Sequence, residues 1–384
     1  MPLLGPVIKA ARARAAEMKQ ALGTAHVGAW RSALASRWLS LPAPPPGAGR
    51  HRGRRRLHVA VDGTSHTVQL SNGAHFILAA AAASGPPPFR QRDRADLEIL
   101  PARYDDAQAA SARDLLMRSL EAFVASEAAG AVVEEGLAPE AIVWVDGSLY
   151  ADLSHMAGAP GQVRWGGGIE RAGTLLRTTA ALLHLAESND LWLVGIGKTQ
   201  RAGFLTDALA TGTGAGRGAG GGAPEGERLG DGELLAIAPA GWSWPLVLDG
   251  TRFPLLSRAA GEALGDCPAI VSCYLRPHPA DLPLRVDIPA GAVGLDDRLL
   301  PSQGARPWPA WVPDPNAVRP VIEAVLASYG GVQAYNAPLY AVDRLVRLSR
   351  RDVEARYLPM CARVAGLPLD ALTVDRGRRR FISS

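Results

Sequence analysis

AIVWVDGS, from Ala141 to Ser148, is the stretch on which the fold turns. Its first five residues are apolar and rich in β-branched side chains, as in a strand buried within a sheet, and Asp146-Gly147-Ser148 stops the run. Upstream lies an echo, VAVDGT from Val59 to Thr64, at the end of the strand-like LHVAVD over Leu57 to Asp62. Each copy sets an aspartate at the carboxyl end of an apolar strand, followed by glycine and a hydroxyl residue. Two such aspartates on one sheet converge at its edge, where open α/β sheets hold their ligands. A pair of hard carboxylates there suits divalent Mg²⁺ or Mn²⁺. One Asp-Gly alone is usually a turn and nothing more, so the argument needs both copies.

Working outward, Asp105 to Ala129 carries Leu115, Leu116, Leu120, Phe123 and Val124 at helical spacing and predicts a long helix. Gly168 to Glu187 predicts a second, which leads into a strand over Leu191 to Ile196 ending at Gly197-Lys198. The short apolar runs His66 to Leu70 and His75 to Ala80, joined through Ser71-Asn72-Gly73, predict a hairpin in a meander. Strands also fit Val247 to Leu248, Ala269 to Leu275 and Leu284 to Ile288, helices fit Val318 to Tyr329 and Ala337 to Arg356, and Leu372 to Asp375 is strand-like. The alternation predicts an α/β sheet with helices on its faces. Around this main domain, 57–375, lie an N-terminal segment of one or two amphipathic helices (1–40), a Pro/Arg-rich linker (41–56) and a basic tail (376–384). Inside it, Thr211 to Gly232 is Gly-rich and predicts a surface loop with too little apolar area to order it, and Pro301 to Pro315 is a Pro/Trp-rich connection.

The 384 residues, 47% apolar and 20% charged, suffice for a large core and exclude global disorder. A net charge of +4 permits a nucleic-acid partner without selecting one. Lys9, Lys19 and Lys198 are the only lysines among 41 basic residues, so most of the arginine is compositional background and position has to decide. Arg54, Arg55 and Arg56 immediately precede the first aspartate strand, where they either touch phosphate or keep the linker solvated. Lys198, with Arg201 close behind, puts a compact point charge at a strand end, which suits a phosphate or is an ordinary surface lysine. Cys267, Cys273 and Cys361 have neither disulfide nor zinc spacing. With no run of about eighteen uncharged apolar residues and no apolar segment after the first charges, a soluble, cytoplasmic protein without membrane contact is expected. Aspartyl-phosphate phosphatases also use Asp-Gly-Thr after a strand, but their nucleophile precedes that aspartate by two residues, where Ala60 and Trp144 stand; neither can form an acyl phosphate.

From about residue 57 to about 356 the chain resembles the NurA family of DNA nucleases. Asp62 matches the family's first aspartate, and Asp146-Gly147-Ser148-Leu149 its second. Gly197-Lys198-Thr199 resembles its lysine segment, and GVQAYNAPLYAVDRL, Gly331 to Leu345, its C-terminal motif, with Tyr335 at the family tyrosine and Asp343 where histidine is usual. The resemblance implies a ribonuclease H-like mixed sheet flanked by helices, with carboxylates holding one or two Mn²⁺ or Mg²⁺ ions. Asp62 and Asp146 would be central ligands, with Asp343 and a glutamate of the long helix as outer ones. Glu121 is the first choice for that glutamate and Glu127 the alternative, against the ordinary outcome of a solvated helix face. Asp343 either completes a four-carboxylate set or is an exposed helix residue beside a weakened site. Tyr335 would stack on a base or orient a ligand, whereas His66 and His155 read as solvated loop residues.

The resemblance also implies endonucleolytic cleavage of single-stranded DNA, 5′ to 3′ degradation of DNA ends, and work with a hexameric HerA-type translocase. It implies a ring-like homodimer, with the N-terminal helices as dimer or translocase contacts; Trp30 and Trp38 either serve such an interface or pack on their own core. The rival reading is a non-catalytic clamp or adaptor for the translocase.

Overall fold

A computed structural model describes residues 4–15, 30–42, 56–149, 168–198, 203–210, 230–248, 268–295 and 310–367. The chain starts with helices α1 (Leu4–Ala13) and α2 (Arg31–Ala35) and a short strand β1 (Trp38–Leu39), which pairs with β7 (Gly241–Ser243). Trp30 is buried at 3% exposure, and it and Trp38 pack in one cluster with Leu34, Leu205 and Leu235. Trp30 therefore belongs to the molecule's own core, and Trp38 packs against it half-buried.

The central unit follows from the apolar runs. β2 (Leu57–Gln69) turns through Ser71-Asn72-Gly73 into antiparallel β3 (His75–Ser84), and β4 (Arg92–Leu100) pairs outside it. Asp105 caps α3 (Asp106–Glu134) by accepting from the Gln108 amide, fixing where that helix starts. The chain returns as β5 (Ala141–Asp146), parallel to β2, and α4 (Gly168–Ser188) leads to β6 (Trp192–Gly197), parallel to β5. The order β4-β3-β2-β5-β6, three antiparallel strands and then two parallel ones, is the ribonuclease H-like arrangement.

Antiparallel β10 (Leu284–Pro289) and β9 (Ile270–Arg276) continue the sheet beyond β6, and β8 (Leu246–Leu248) with β11 (Ala310–Trp311) completes the eleven strands. Residues alternate between faces along each strand. Val59, Val61, Val143 and Leu193 pack beneath α3 and α4, whereas Ala60, Trp144, Ile196 and Val286 pack beneath α7 (Arg319–Ala327) and α8 (Ala337–Val346).

Four sequence expectations change. The strand expected to end at Gly63 runs on to Gln69, so Asp62 lies inside β2. A helix expected over Ala337 to Arg356 stops at Val346 and resumes at Arg350. Asp231 and Gly232, expected at the end of the Gly-rich loop, instead open a short helix (Asp231–Leu235), because Asp231 is fully buried and accepts from the Leu205 and Thr206 amides. β4 was not expected at all. Residues 211–229, 301–309 and 368–384, with Arg54, Arg55, His155, Arg201 and Cys267, lie outside the described residues. Among the described residues no helix is long and apolar enough to cross a membrane.

Candidate active site

Parallel pairing of β2 and β5 sets Val61 opposite Val145. Asp62 and Asp146, one residue on, thus occupy equivalent positions on neighbouring strands, and alternation turns both toward the α8 face with Ala60 and Trp144. β5 ends at Asp146 while β2 continues, so the sheet opens beside the pair. Asp62 is only 4% exposed, and its carboxylate accepts from the Gly63 amide at 2.8 Å. Burial, and then the nearby charge of Asp146, push its pKa up to about 7, against the opposing pull of the Gly63 amide and Lys198; Asp343 adds to the rise.

Lys198, just beyond the end of β6, places its Nζ 2.7 Å from Asp146 Oδ2 and 4.5 Å from the centre of the Tyr335 ring. The Tyr335 hydroxyl hydrogen-bonds to Asp146, and burial together with the charges of Asp146, Asp62 and Asp343 pushes its pKa up, so it stays protonated. Asp343 is exposed on α8, yet its charge is felt by both Asp62 and Tyr335. Five residues singled out in the sequence therefore gather on one side of the sheet: Asp62, Asp146, Lys198, Tyr335 and Asp343.

Glu121 comes from the other side. It lies on α3, 6% exposed, and a Cβ on Gly63 would stand 2.6 Å from its Oε1 and 2.7 Å from its Cγ. Only glycine lets that carboxylate lie against β2, directly behind Asp62. Glu121, Asp146 and Ser148 line a small cleft of about 60 Å³ between α3 and α4. Glu127 is instead ion-paired to Arg94 of β4 at 2.7 Å. Arg56, just ahead of β2, stacks on Trp192 at 3.6 Å, six residues and roughly 20 Å at strand rise from Asp62. That placement sets Arg56 apart from the carboxylate pair.

Among the described residues no three acidic, histidine or cysteine side chains stand close enough to form a ready metal cluster. The donor chemistry nonetheless fits a hard divalent cation. A buried carboxylate raised by a second one beside it is an arrangement that such a cation would relax. Asp62 and Asp146 are the pair that could hold it, with Glu121 and Asp343 within the same region on either face. Sequence reading missed Asp287 and Arg285, both fully or almost fully buried behind the turn that follows Asp146. Their signal was a charged Arg-Val-Asp embedded in the otherwise apolar run of β10.

Fold and site together define an α/β protein of ribonuclease H-like topology with an acidic centre at the open edge of its parallel strands. A family model described as the NurA domain matches residues 56–348, more than half of the chain, and the chain belongs to the NurA family of nucleases. No curated protein matches it significantly. Among solved structures it is similar to the NurA nuclease from Sulfolobus solfataricus, at 13% identity over 94% of this chain and 95% of that one, with a TM-score of 0.48. A NurA bound to dAMP and manganese shares 12% identity over 97% and 99% of the two chains, with a TM-score of 0.49. The catalytic domain of human endonuclease V shares 13% over 88% and 97%, with a TM-score of 0.29. Family membership rests on the family model rather than on these three likenesses.

Proposed function

We propose that this NurA-family chain is a divalent-metal-dependent deoxyribonuclease that cleaves single-stranded DNA and degrades DNA ends in the 5′ to 3′ direction. The observation that carries the reading is the Asp62–Asp146 pair, set side by side at one register of two parallel strands, with Asp62 buried and raised to about 7. Bound there, Mn²⁺ or Mg²⁺ would act as a Lewis acid, neutralising the phosphodiester and activating the attacking water. The chain's own groups have separate tasks. Asp62 and Asp146 would hold the ion, and Glu121 and Asp343 would approach it from the two faces. Lys198, already drawn to this site by Asp146, would meet a backbone phosphate as a point charge. Tyr335, kept protonated, can donate to Asp146 or to a phosphate oxygen.

The test is cleavage of labelled single-stranded and end-labelled duplex DNA with Mn²⁺, with Mg²⁺ and with chelator, by the parent and by Asp62→Asn. Metal-dependent cleavage that the variant lacks is the expected result. No cleavage by either protein, with or without a HerA-type ATPase, sinks the reading and favours the second one, a DNA-binding clamp or adaptor. The observation favouring that alternative is the lack of a ready three-ligand cluster among the described residues. The reading also takes a HerA-type hexameric translocase as partner and a homodimer as the working unit. Both follow from the family resemblance, and co-purification and light scattering test them.

A further inference from the structure

The turn after β5 is held more firmly than a surface Asp-Gly-Ser needs to be. Gly147 adopts a φ of +113°, a conformation that favours glycine, and its amide donates to the Ile196 carbonyl at 2.9 Å. This bend brings the Ser148 hydroxyl to Asp287, to which it donates at 2.6 Å; the Leu149 amide donates to the same carboxylate oxygen at 3.0 Å. Room for the turn comes from Gly195 on β6, where a Cβ would meet the Gly147 carbonyl at 2.8 Å.

Asp287 is fully buried on β10, opposite Gly195 in the antiparallel register. Its other oxygen accepts from Arg285 Nε at 2.8 Å. The same Nε–H is shared with Ser272 Oγ at 2.9 Å, and the guanidinium lies 5.0 Å from the centre of the Phe204 ring. Arg285 balances the charge of Asp287, so the clamp adds no uncompensated negative charge close to Asp146. Charge-assisted hydrogen bonds in so dry a setting are short and strongly directional.

We propose that Asp287 and Ser148 are positioning residues: through the turn at Gly147 they aim the Asp146 carboxylate and so set the affinity of the site for a divalent cation. The inference rests on the metal-dependent reading above. In this role both act through Asp146 and not as ligands themselves. Partners one step behind a metal ligand typically change affinity by about 10- to 100-fold when removed.

The experiment measures Mn²⁺ binding by calorimetry, without DNA, to the full chain and to Ser148→Ala, Ser148→Thr and Asp287→Asn. Ser148→Ala removes one donor and leaves Asp287 still bonded to Leu149 and Arg285, so its fold should survive. Its Mn²⁺ affinity is expected to fall by about tenfold or more, with the metal-free melting temperature little changed. Ser148→Thr, which keeps the hydroxyl, should bind close to the parent. In cleavage assays Ser148→Ala should lower kcat at fixed Mn²⁺ while leaving the KM for DNA alone. Asp287→Asn is the harsher change and is interpreted only alongside its melting curve.

Equal Mn²⁺ affinity in the parent and Ser148→Ala overturns the proposal, as does a Ser148→Thr variant no better than Ser148→Ala. A parent that binds no Mn²⁺ overturns both this inference and the metal-dependent reading. A parent that binds Mn²⁺ with the expected order of variants but cuts no DNA supports the positioning role and removes the nuclease assignment instead.

Discussion

Asp62→Asn should change how stability depends on pH, and the structure sets both sign and size. In the folded, metal-free protein Asp62 titrates near 7 instead of the ordinary 3.8, because it is buried and stands beside Asp146. The folded state therefore binds this proton more tightly than the unfolded chain does. Its raised pKa makes stability greatest below about pH 4; stability then declines as pH rises through the interval from 3.8 to about 7, and levels off above. The full shift corresponds to up to about 4 kcal/mol, with little solvent screening at 4% exposure. Asparagine carries no titrating proton, so the variant lacks this decline. Urea denaturation in chelator, at intervals between pH 4 and 8.5, gives the unfolding free energies of both proteins under two-state analysis. The stability of Asp62→Asn relative to the parent should increase across that interval, by as much as about 4 kcal/mol. Adding Mn²⁺ should stabilise the parent more at pH 8 than at pH 5, where the proton competes for the ligand. A difference between the two proteins that stays flat from pH 4 to 8.5 would refute the argument that Asp62 is buried as a strained member of a carboxylate pair.

Three further outcomes are expected. Gly63→Ala places a methyl 2.6 Å from Glu121 Oε1, so the glutamate must swing away; a cost of about 1–3 kcal/mol in urea and a loss of cleavage comparable to that of Glu121→Gln are expected, and a variant with parental activity would remove Glu121 from the site. Glu127→Gln should retain full cleavage and lose less than about 1 kcal/mol, since its partner Arg94 is half exposed; inactivity of this variant together with activity of Glu121→Gln would reverse the assignment. Asp231→Ala strips the buried Leu205 and Thr206 amides and the Tyr274 hydroxyl of their shared acceptor, so a loss of at least about 3 kcal/mol is expected, and one below about 1 kcal/mol would show that these groups find other partners.

What could be read from the sequence was whatever a residue's own element decides. VAVDGT and VWVDGS are legible as equivalents because each carries its own alternation, and parallel pairing one-to-one then carries the likeness into space. The continuation of β2 past Gly63 was not legible, since Gly63 reads as punctuation; its backbone is kept in the strand by pairing with Ala81, and its missing side chain matters only because Glu121 arrives from α3. β4 is a different case. Its pattern is inverted: Arg94, Asp96 and Glu98 meet Glu127 and Arg171 on the helical layer, while Leu97 and Ile99 are exposed on the other face. The period of two is present from Arg94 to Ile99, so a strand was legible there and was passed over; what the sequence conceals is that its charged side faces the helices.

Asp287 is the clearest case of a role that local reading cannot supply. Its partner Ser148 lies 139 residues earlier in the chain, and the two meet only because β10 joins the sheet antiparallel to β6 and so brings Asp287 beside the turn that ends β5. A buried carboxylate in an apolar strand does signal that some partner must exist, because an uncompensated charge in that setting is too costly to persist. Which partner it is depends on the register of strands far apart in sequence. The same reasoning separates Asp231 from Asp62. Asp231 is surrounded by the helix starts it caps and by the Tyr274 hydroxyl, all of which favour its charged form against the penalty of burial. Asp62 has one backbone amide and one lysine in its favour, and two other carboxylates against it. Donors close to hand offset part of the cost of burying the first, whose pKa burial still raises; the second has other carboxylates pressing on it as well, and that crowding is the reason to look for a cation there.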